Sequence, residues 1–509
     1  MKPLALALAA GLAAACGFQP LGLWPLTLAA LALLLWLVRT APTLRSALAR
    51  GWWFGVGHFV LGLNWIATAF TYQAEMPASL GYVAVVLLSL YLAVYPAAAA
   101  GLAWRWGRKD DLRLVLLFAA AWIVTEWLRA TMFTGFAWNP LGVALVATPA
   151  AGSARLVGTY GLSGIAAILG GALLLLGLRK WPAAGAAAGL AALVAAAGWL
   201  AAGRPAAADG PAMRIVQPNI GQQDKWREGF EEENLARLAA YSGAGADSPR
   251  LLLWPEAAVT RPLENGLRDA GHAGEVVRLR RSVAAMLGPG DLLLTGGITW
   301  RSSDGFDVTS ATNSVFALDR SGRILARYDK SHLVPYGEYL PMRPILSSLG
   351  LSRLAPGDVD FDPGPGATTL DLPVVGKVGF QLCYEIIFSG EVVDRRNRPN
   401  FLFNPSNDAW FGAWGPPQHL AQARLRAIEE GLPVLRATPT GISAVIDSDG
   451  RLLASLPWRK AGVIDSRLPG PKAPTPFARL GNLLPMLFVL LLVALALGAQ
   501  RIAGRRKGG

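Results

Sequence analysis

The sequence is poor in the residues that bind metals and form disulfides. Among 509 residues there are two cysteines, Cys16 and Cys383, and four histidines. The cysteines are far apart in the chain and Cys16 lies in an apolar N-terminal run, so we expect no structural disulfide. The scattered histidines and the absence of paired cysteines leave no recognisable metal motif. We therefore expect neither a metal nor another cofactor.

Charge is also scarce. Only 16% of the residues are charged, whereas 53% are hydrophobic, and a soluble domain has about 25% charged residues. Much of the chain is therefore expected to lie in lipid. The net charge of +13 could suggest a nucleic-acid partner. Many basic residues instead form short clusters beside apolar runs, as the positive-inside rule requires, so we expect a membrane-embedded protein that binds no nucleic acid.

Eight apolar runs approach or reach the length of about 20 residues that spans a bilayer. They lie near 3–18, 21–38, 52–71, 80–104, 112–131, 160–178, 182–202 and 479–499. The first run resembles a secretory signal that ends in a lipoprotein-like box at Cys16. However, the residue three positions before the cysteine is alanine rather than leucine, and a second apolar run follows almost at once. A retained membrane helix is therefore favoured.

The loop charges predict the orientation of these helices. Basic residues follow helices two, four, six and eight, whereas loop 72–79 has no Lys or Arg. All basic loops then fall on one side, which places both termini in the cytoplasm and residues 203–475 outside it. The sequence thus predicts a polytopic membrane domain with helices one to seven in 1–205, a separate domain in 211–470 and a last helix in 478–500.

The domain between the last two apolar runs has a mixed pattern. Strand-like runs are predicted at 213–220, 251–256, 291–300, 314–318, 323–330, 377–385, 401–408 and 434–447, and helices near 228–242, 264–287 and 417–430. Asp319–Gly322 and Asp447–Gly450 have the composition of hairpin turns. Alternating strands and helices predict a layered α/β domain.

Three of the strand-like runs have a chemically reactive residue at or near their ends. Glu256 and Lys330 end the runs 251–256 and 323–330, and Cys383 follows the apolar residues 378–382 of the third run. Buried cysteines are mostly inert, so Cys383 alone would indicate little. Strand ends are, however, positions at which rigid scaffolds display functional groups. A thiol, a carboxylate and an ammonium together suffice for acyl transfer through a thioester.

These fragments, in this order, resemble the nitrilase superfamily, and with the surrounding apolar helices the whole chain resembles the apolipoprotein N-acyltransferase family of the bacterial inner membrane. The residues that carry the resemblance are Gln217–Ile220, Lys225–Trp226, Trp254–Glu256, Lys330–Tyr339, Cys383–Glu385, Asn404–Gly412 and Glu126–Arg129. The resemblance implies a nitrilase-like αββα sandwich held on the periplasmic side of the membrane. It also implies two substrates, a phospholipid acyl donor and a diacylglyceryl apolipoprotein acceptor.

The resemblance further implies a ping-pong reaction. The sn-1 acyl chain of a phospholipid passes to Cys383 as a thioester and then to the N-terminal amine of the diacylglyceryl-cysteine. Cys383 would be the nucleophile and Glu256 the general base, and Lys330 would stabilise the oxyanion and the thiolate. Glu338 would support this triad by orienting the lysine or by taking part in proton transfer.

Other residues keep two interpretations each. Tyr384 and Glu385 either shape the site or serve strand-end packing and an ion pair, and Trp226 either lines the acyl entrance or is an ordinary surface tryptophan. Glu126 and Arg129 are close enough in sequence to pair on a helix. Charge within or beside the membrane suggests a functional role, whereas snorkelling or packing of the helix against the domain is the simpler account. Further candidates are Asn407 and Asp408 as structural supports, His332 as a turn residue, and Phe388, Trp410, Phe411 and Trp414 as an aromatic lid.

One segment departs from the family, and rival functions remain. The run Ala437–Gly441 replaces an expected asparagine-bearing turn, so its contribution to the substrate pocket is open. A membrane-tethered nitrilase-type amidase is the alternative enzyme. A transporter or lipid-binding scaffold with an inactive domain is the alternative outside enzymes, although the helices show no internal repeat. No G-x-S-x-G motif supports a serine hydrolase.

Overall fold

A computed structural model describes residues 2–72, 77–204, 206–225, 227, 229–243, 250–348 and 359–505. Helices form the N-terminal part and the C-terminus, and an α/β domain lies between them. The helices are α1 Lys2–Ala15, α2 Trp24–Arg39, α3 Leu44–Gly62, α4 Ile66–Ala69, α5 Leu80–Leu92, α6 Val94–Gly107, α7 Asp111–Thr131, α8 Ala154–Gly177, α9 Trp181–Leu200, α10 Gln222–Lys225, α11 Glu231–Ser242, α12 Ala270–Ala284, α13 Arg343–Ser348, α14 Gly415–Glu430, α15 Pro476–Leu480 and α16 Leu483–Arg505.

The helical part has fewer full-length spans than the eight that the sequence predicts. Within the described residues, four helical segments are long and apolar enough to cross a membrane: Leu80–Gly107, Asp111–Thr131, Pro149–Gly177 and Trp181–Leu200. A fifth span results if α3 and the helical segment Ile66–Tyr72, bent by 48°, count as one. The apolar segments Lys2–Ala15, Trp24–Arg39 and Leu483–Gly498 are shorter. The helices thus indicate a membrane protein, and the number of eight spans stays a prediction.

The α/β domain contains two sheets. Its strands are β1 Ala212–Gln217, β2 Arg250–Leu253, β3 Pro262–Asn265, β4 Leu292–Arg301, β5 Ser310–Leu318, β6 Ile324–Asp329, β7 Thr369–Leu372, β8 Gly376–Phe380, β9 Phe401–Pro405, β10 Val434–Ala437, β11 Ala444–Ile446, β12 Leu452–Ser455 and β13 Gly462–Arg467. The seven-stranded sheet has the order β13-β1-β2-β4-β5-β6, with β3 beside β4. The six-stranded sheet has the order β12-β11-β10-β9-β8-β7.

Alternation along the strands explains how these layers stack. In β1, Met213 and Ile215 belong to the large core that also contains Val378 of β8, whereas Val216 joins a separate cluster with Leu238 of α11. Successive side chains of a strand point to opposite faces. One face of the seven-stranded sheet therefore packs on the six-stranded sheet, and the other packs under α11 and α12. The predicted layered α/β domain is confirmed.

The six-stranded sheet is covered by α14, which is buried along nearly its whole length. This helix contacts β10 on one side and the membrane helix α8 on another. It therefore lies in the seam between the α/β domain and the helical part.

Several element limits differ from the sequence prediction. The predicted strand 434–447 is two antiparallel strands, β10 and β11, because residues 438–443 turn back. This turn binds the end of β1 and the segment after it, since Thr438 Oγ1 donates to Gln217 Oε1 and the Asn219 N–H donates to Pro439 O. The predicted helix near 264–287 begins only at Ala270, since Pro262–Asn265 pairs with β4. Both predicted hairpin turns are confirmed by a backbone hydrogen bond that closes each turn. The Asp319 N–H donates to Arg323 O in the first turn, and the Asp447 N–H donates to Arg451 O in the second.

Candidate active site

The two sheets bring the three reactive residues together. Glu256 follows β2 and Lys330 follows β6, both in the seven-stranded sheet, whereas Cys383 follows β8 of the six-stranded sheet. All three are buried. Because the two sheets pack face to face, their strand ends meet, and the carboxylate and the ammonium act electrostatically on the thiol.

Cys383 has an unusual backbone. The predicted strand 377–385 ends at Phe380, and Cys383 begins a single 3-10 turn that ends at Ile387. Its φ is +53°, which is uncommon for a residue with a Cβ and is found where the surroundings hold the conformation in place. His419 Nε2 lies 3.0 Å from the Cys383 carbonyl oxygen and donates to it. This bond from α14 helps to hold the thiol in the site.

The environment of Cys383 keeps the thiol protonated. Burial raises the pKa of Cys383 well above its ordinary value, and the Glu256 carboxylate raises it further. The Lys330 ammonium and a hydrogen bond from the Asn407 backbone N–H act in the opposite direction. A thiol with a raised pKa is a poor nucleophile by itself, so this site requires a base at the moment of attack.

Glu256 is placed to be that base. Its Oε1 accepts a hydrogen bond from Asn313 Nδ2 at 2.8 Å and lies 3.8 Å from Lys330 Nζ. Its Oε2 is buried and has no hydrogen-bond partner among the described residues. A buried carboxylate oxygen without a partner is costly, and here it is available to accept a proton.

Lys330 and Glu338 form the second half of the polar cluster. Lys330 Nζ lies 2.8 Å from Glu338 Oε2, and the same oxygen accepts the Val334 N–H at 2.8 Å. Burial opposes the charged form of Lys330, but Glu338 and Glu256 outweigh it and raise the pKa of the amine. The side chain is therefore an ammonium, which can stabilise negative charge on a neighbouring oxygen or sulfur.

Asn313 was missed by the sequence analysis. Its Nδ2 donates to Glu256 Oε1 at 2.8 Å and to Glu338 Oε1 at 2.9 Å, so one amide joins the two carboxylates. The signal that could have revealed it is its position, since an amide in the middle of the buried strand β5 requires polar partners.

Lys225 was also missed as a site residue. It is buried, and its Nζ donates to the backbone carbonyl of Glu256 at 2.8 Å. Burial lowers the pKa of Lys225 to about 8, against the opposing effects of Glu256 and Cys383. In the sequence, Lys225 contributed to the family resemblance, but nothing there indicated a bond to Glu256. The adjacent Trp226 lies outside the described residues, and its role stays a prediction.

Glu385 makes hydrogen bonds rather than the ion pair considered from the sequence. Its Oε1 accepts from Tyr328 Oη, Ser331 N and Ser331 Oγ at 2.8 Å each, and its Oε2 accepts the Leu382 N–H at 2.7 Å. Burial raises its pKa, and these bonds oppose the rise. Glu385 thus ties the segment after Lys330 to the segment before Cys383. Tyr384 is buried beside them, with its Oη 3.4 Å from Gly135 O.

Asp408 has the surroundings of a structural support. It is fully buried, and Arg436 Nη2 donates to its two carboxylate oxygens at 2.7 and 2.6 Å. Burial opposes the ionised form, but Arg436 lowers the pKa of the carboxyl. Burial and Arg436 also lower the pKa of His419, so the neutral imidazole donates from Nε2 to Cys383. Asn407 Nδ2 donates to Gln222 Oε1 at 2.8 Å.

The aromatic candidates lie mostly in packed positions. Phe388 is buried and stacks on His332 at 3.8 Å between ring centroids, and Phe411 packs on Trp65 of the helical part at 4.6 Å. These two rings are core contacts rather than a free lid. Trp410 and Trp414 are half-buried, and for them the lid stays a prediction.

Glu126 and Arg129 do not snorkel to the surface. Both are buried, 3.9 Å apart, and Arg129 Nη1 donates to Trp138 O at 2.8 Å. Glu126 Oε1 accepts the Leu141 N–H at 2.8 Å. The pair therefore holds the segment after α7 in place, and packing is the interpretation that the contacts favour.

The comparisons with known proteins agree with this architecture. The family model described as carbon-nitrogen hydrolase matches residues 213–470, so the α/β domain, with its strand-end cysteine, is of the nitrilase class. The model described as apolipoprotein N-acyltransferase N-terminal domain matches residues 10–172. The apolipoprotein N-acyltransferase of Rhodopseudomonas palustris is 35% identical, over 99% of this chain and 96% of its own. The one of Caulobacter vibrioides is 37% identical, over 96% and 93%. The chain belongs to the apolipoprotein N-acyltransferase family.

Solved structures are more distant. Nit3 of Saccharomyces cerevisiae, of the nitrilase superfamily, is 17% identical with a TM-score of 0.35, over 51% of this chain and 90% of its own. An amidase from Nesterenkonia sp. is 18% identical with a TM-score of 0.32, over 53% and 94%.

Proposed function

We propose that this protein transfers a fatty acyl chain from the sn-1 position of a phospholipid to the N-terminal amine of a diacylglyceryl-cysteine apolipoprotein, through a thioester on Cys383. The observation that carries the proposal is the meeting of Cys383, Lys330 and Glu256 in one buried site, where Glu256 Oε2 has no hydrogen-bond partner within the described part of the chain. The name of the relatives supports an apolipoprotein as the acyl acceptor, and the phospholipid donor follows from the resemblance described above.

In the first half-reaction, Glu256 accepts the thiol proton as the sulfur of Cys383 attacks the sn-1 ester carbonyl. The Lys330 ammonium faces the oxyanion of the tetrahedral intermediate, where charge develops. Collapse of the intermediate breaks the carbon–oxygen bond, and the leaving lysophospholipid alkoxide takes the proton from Glu256. The acyl chain is then held as a thioester.

In the second half-reaction, the α-amine of the lipoprotein attacks the thioester carbonyl. Glu256 accepts a proton from the amine and returns it to the sulfur as the carbon–sulfur bond breaks. The products are an amide and the regenerated thiol. Glu338 and Asn313 hold Lys330 and Glu256 in place through both steps.

The proposal includes the location of the enzyme. We place the protein in the bacterial inner membrane as an eight-span protein, with helices one to seven in 1–205, a periplasmic catalytic domain in 211–470 and the last helix in 478–500. Both termini are then cytoplasmic. The basic clusters beside alternate apolar runs support this orientation. Labelling of single cysteines placed at Arg320 and Arg108 with a membrane-impermeant maleimide in spheroplasts should modify the first and not the second.

The reaction is tested by intact-mass analysis of the purified protein after incubation with phospholipid alone. A hydroxylamine-labile mass gain of one acyl chain is expected for the native protein and for Cys16→Ala, but not for Cys383→Ala. Addition of a diacylglyceryl-cysteine peptide with a free N-terminus should remove the adduct, and an acetylated peptide should not. Ammonia release from small amides without any adduct would favour the amidase, and neither signal would favour the scaffold.

A further inference from the structure

Three arginines line one cavity outside the active site. The cavity has a volume of about 280 Å³ and lies beside the segment that leads into α16. Arg395 and Arg398 reach it from the segment after the Cys383 turn, Arg479 reaches it from α15, and Glu430 reaches it from the end of α14.

The three arginines carry more positive charge than the one carboxyl group that lines the cavity, Glu430, can balance. Across the described ranges, none of the three forms an ion pair with a carboxylate. Arg395 Nη2 donates to Gly390 O at 3.0 Å and Arg398 Nη2 to Glu430 O at 2.5 Å, and both acceptors are backbone carbonyls. Arg398 Nε is buried and has no partner among the described residues. Three guanidinium groups around one space favour an anion in it.

The Glu430 carboxyl group supplies only part of the negative charge that the three arginines favour. It is 2% exposed, and burial, followed by the neighbouring Glu429, raises the pKa of Glu430 to about 7, although Arg398, Arg395 and Arg426 oppose the rise. Near neutral pH a large share of this carboxyl is therefore protonated. In that form it can donate a hydrogen bond to an anion instead of repelling it.

The position of the cavity indicates the source of the anion. Arg479 lies two residues before Gly481, after which α16 begins with leucines that are exposed on the protein surface, among them Leu483, Leu487 and Leu490. Exposed leucines on an apolar helix face lipid. The cavity is therefore at the level at which α16 enters the bilayer, where the phosphates of the lipid headgroups lie.

The cavity is separate from the thioester site. His419 contacts the Cys383 carbonyl oxygen, and Glu430 is eleven residues further along the same helix. At 1.5 Å of rise per residue, this separation is about 16 Å. A phosphate in the cavity would therefore belong to a lipid other than one whose ester is at Cys383.

We propose that this cavity binds the headgroup phosphate of a membrane phospholipid as an accessory site, distinct from the acyl-donor site. The planar guanidinium groups match phosphate oxygens in pairs, and the bound lipid would fix the catalytic domain to the membrane surface at the start of α16. This proposal rests on one part of the proposed function, namely that α16 enters the membrane. It does not depend on the acyl-transfer mechanism.

The test measures binding of dioctanoyl phosphatidylglycerol to the full-length protein in detergent by native mass spectrometry. A Cys383→Ala background prevents turnover. The variant Arg395→Gln/Arg398→Gln/Arg479→Gln is compared with Arg278→Gln/Arg281→Gln/Arg320→Gln, which removes the same charge from exposed positions of α12 and the β5–β6 turn. We expect about tenfold weaker binding in the first triple variant and native binding in the second. Equal affinities in the two, or an equal fall in both, would overturn the site.

Competitors distinguish the source of the anion. Dioctanoyl glycerol, which lacks a phosphate, and inorganic phosphate at the same concentration should both fail to displace the lipid. Displacement by dioctanoyl glycerol would show that the cavity does not recognise phosphate, and equal displacement by inorganic phosphate would show a free-anion site; either result overturns the proposal.

Two further measurements keep the result interpretable. The single variant Arg479→Gln, on an exposed side chain, should weaken binding without loss of fold even if Arg398→Gln disturbs the end of α14. With Cys383 restored, the first triple variant should still form the thioester. Loss of the thioester in a folded triple variant would place the cavity in the acyl-donor site and overturn its accessory role.

Discussion

The two sheets of the catalytic domain are covered in different ways. The outer face of the seven-stranded sheet packs under α11 and α12 through an apolar cluster that includes Val216, Leu252 and Trp254, and the far sides of both helices are exposed. The outer face of the six-stranded sheet packs under α14, which is itself covered by the helical part. One half of the sandwich therefore has a core of its own, whereas the other half shares its outer layer with the membrane part.

The shared layer is polar. Gln418, Gln422, Arg426 and Glu429 are spaced by four, four and three residues, so they lie on one face of α14. Gln418 Oε1 accepts from Trp138 Nε1 at 2.8 Å, and Gln422 Oε1 accepts the Asn139 N–H at 3.2 Å. The nucleophile thus follows a strand of the sheet that packs against the membrane part through α14, whereas Glu256 and Lys330 follow strands of the sheet whose outer face packs under α11 and α12.

A break in α8 provides a further contact of this layer. Gly158 has a φ of +66° and interrupts the helix, so the Thr159 N–H is left without a partner inside the helix. Glu429 Oε1 accepts this N–H at 2.6 Å, Thr159 Oγ1 at 2.7 Å and Ser389 Oγ at 2.7 Å. A carboxylate at the start of a helical segment also matches the helix dipole. One side chain therefore connects α8, α14 and the segment after Cys383.

The largest effect is expected from Arg426→Met. Arg426 Nε lies 2.7 Å from Glu429 Oε2, and Arg426 also bonds to Thr159 Oγ1 and, at 2.9 Å, to Ile387 O. Removal of one partner of a buried ion pair leaves an uncompensated charge and costs about 3–5 kcal/mol. We expect a much lower midpoint of thermal unfolding, measured by intrinsic tryptophan fluorescence. An unchanged midpoint would mean that the polar layer does not hold the two parts together.

A smaller effect is expected from Lys225→Met. Lys225 holds the backbone of Glu256 through its carbonyl, so its loss should displace the base and remove a positive charge near the thiol. A hydrogen bond to a charged group contributes about 1.5–3 kcal/mol, which predicts at least about a tenfold slower formation of the thioester. Single-turnover kinetics with phospholipid would measure it.

Lys225→Arg is the matched control for this positioning role. It retains the charge and should recover part of the rate, with the same fold in both variants. A rate for Lys225→Met within about twofold of the native rate would contradict a role for this lysine in the site.

The sequence was sufficient for the parts of the site that are set locally. Glu256, Lys330 and Cys383 each follow an apolar strand-like run, and a strand end is recognisable from about ten residues. The hairpin turn Asp319–Gly322 has a local signal for the same reason. The layered α/β domain followed from the alternation of such runs.

Long-range pairing could not be predicted in the same way. Strand β13 pairs with β1 from about 250 residues away, and it has few apolar residues because it lies at a sheet edge. The Lys225 bond to the Glu256 carbonyl likewise exists only after β1 and β2 have paired. The limits of the first two helices differ from the apolar runs near 3–18 and 21–38 for another reason, because residues 16–23 are largely apolar but form turns between α1 and α2.

The electrostatic link between the two sheets can be tested by titration of Cys383. Since its pKa is raised, alkylation of Cys383 by iodoacetamide in a Cys16→Ala background should rise about tenfold per pH unit from pH 7 to 9 without reaching a plateau. Glu256→Gln removes a charge that raises the thiol pKa, whereas Lys330→Met removes one that lowers it. At one pH, Glu256→Gln should therefore react faster than Lys330→Met, and the reverse order would contradict the assigned charges.

The smallest effect is expected at the outer edge of the seven-stranded sheet. Arg214 Nε lies 2.7 Å from Asp465 Oδ1 across β1 and β13, and the Asp465 side chain is 59% exposed. Exposed ion pairs contribute about 0–1 kcal/mol because water screens both charges. Asp465→Asn, which leaves the Arg214 bonds to the Tyr241 and Ser242 carbonyl oxygens in place, should therefore keep the unfolding midpoint within a few degrees of the native value and leave thioester formation unchanged. A fall in the unfolding midpoint as large as that expected for Arg426→Met would show that the solvent-facing sheet depends on polar contacts as much as the membrane-facing layer does. The two sheets would then not differ in what stabilises their outer faces.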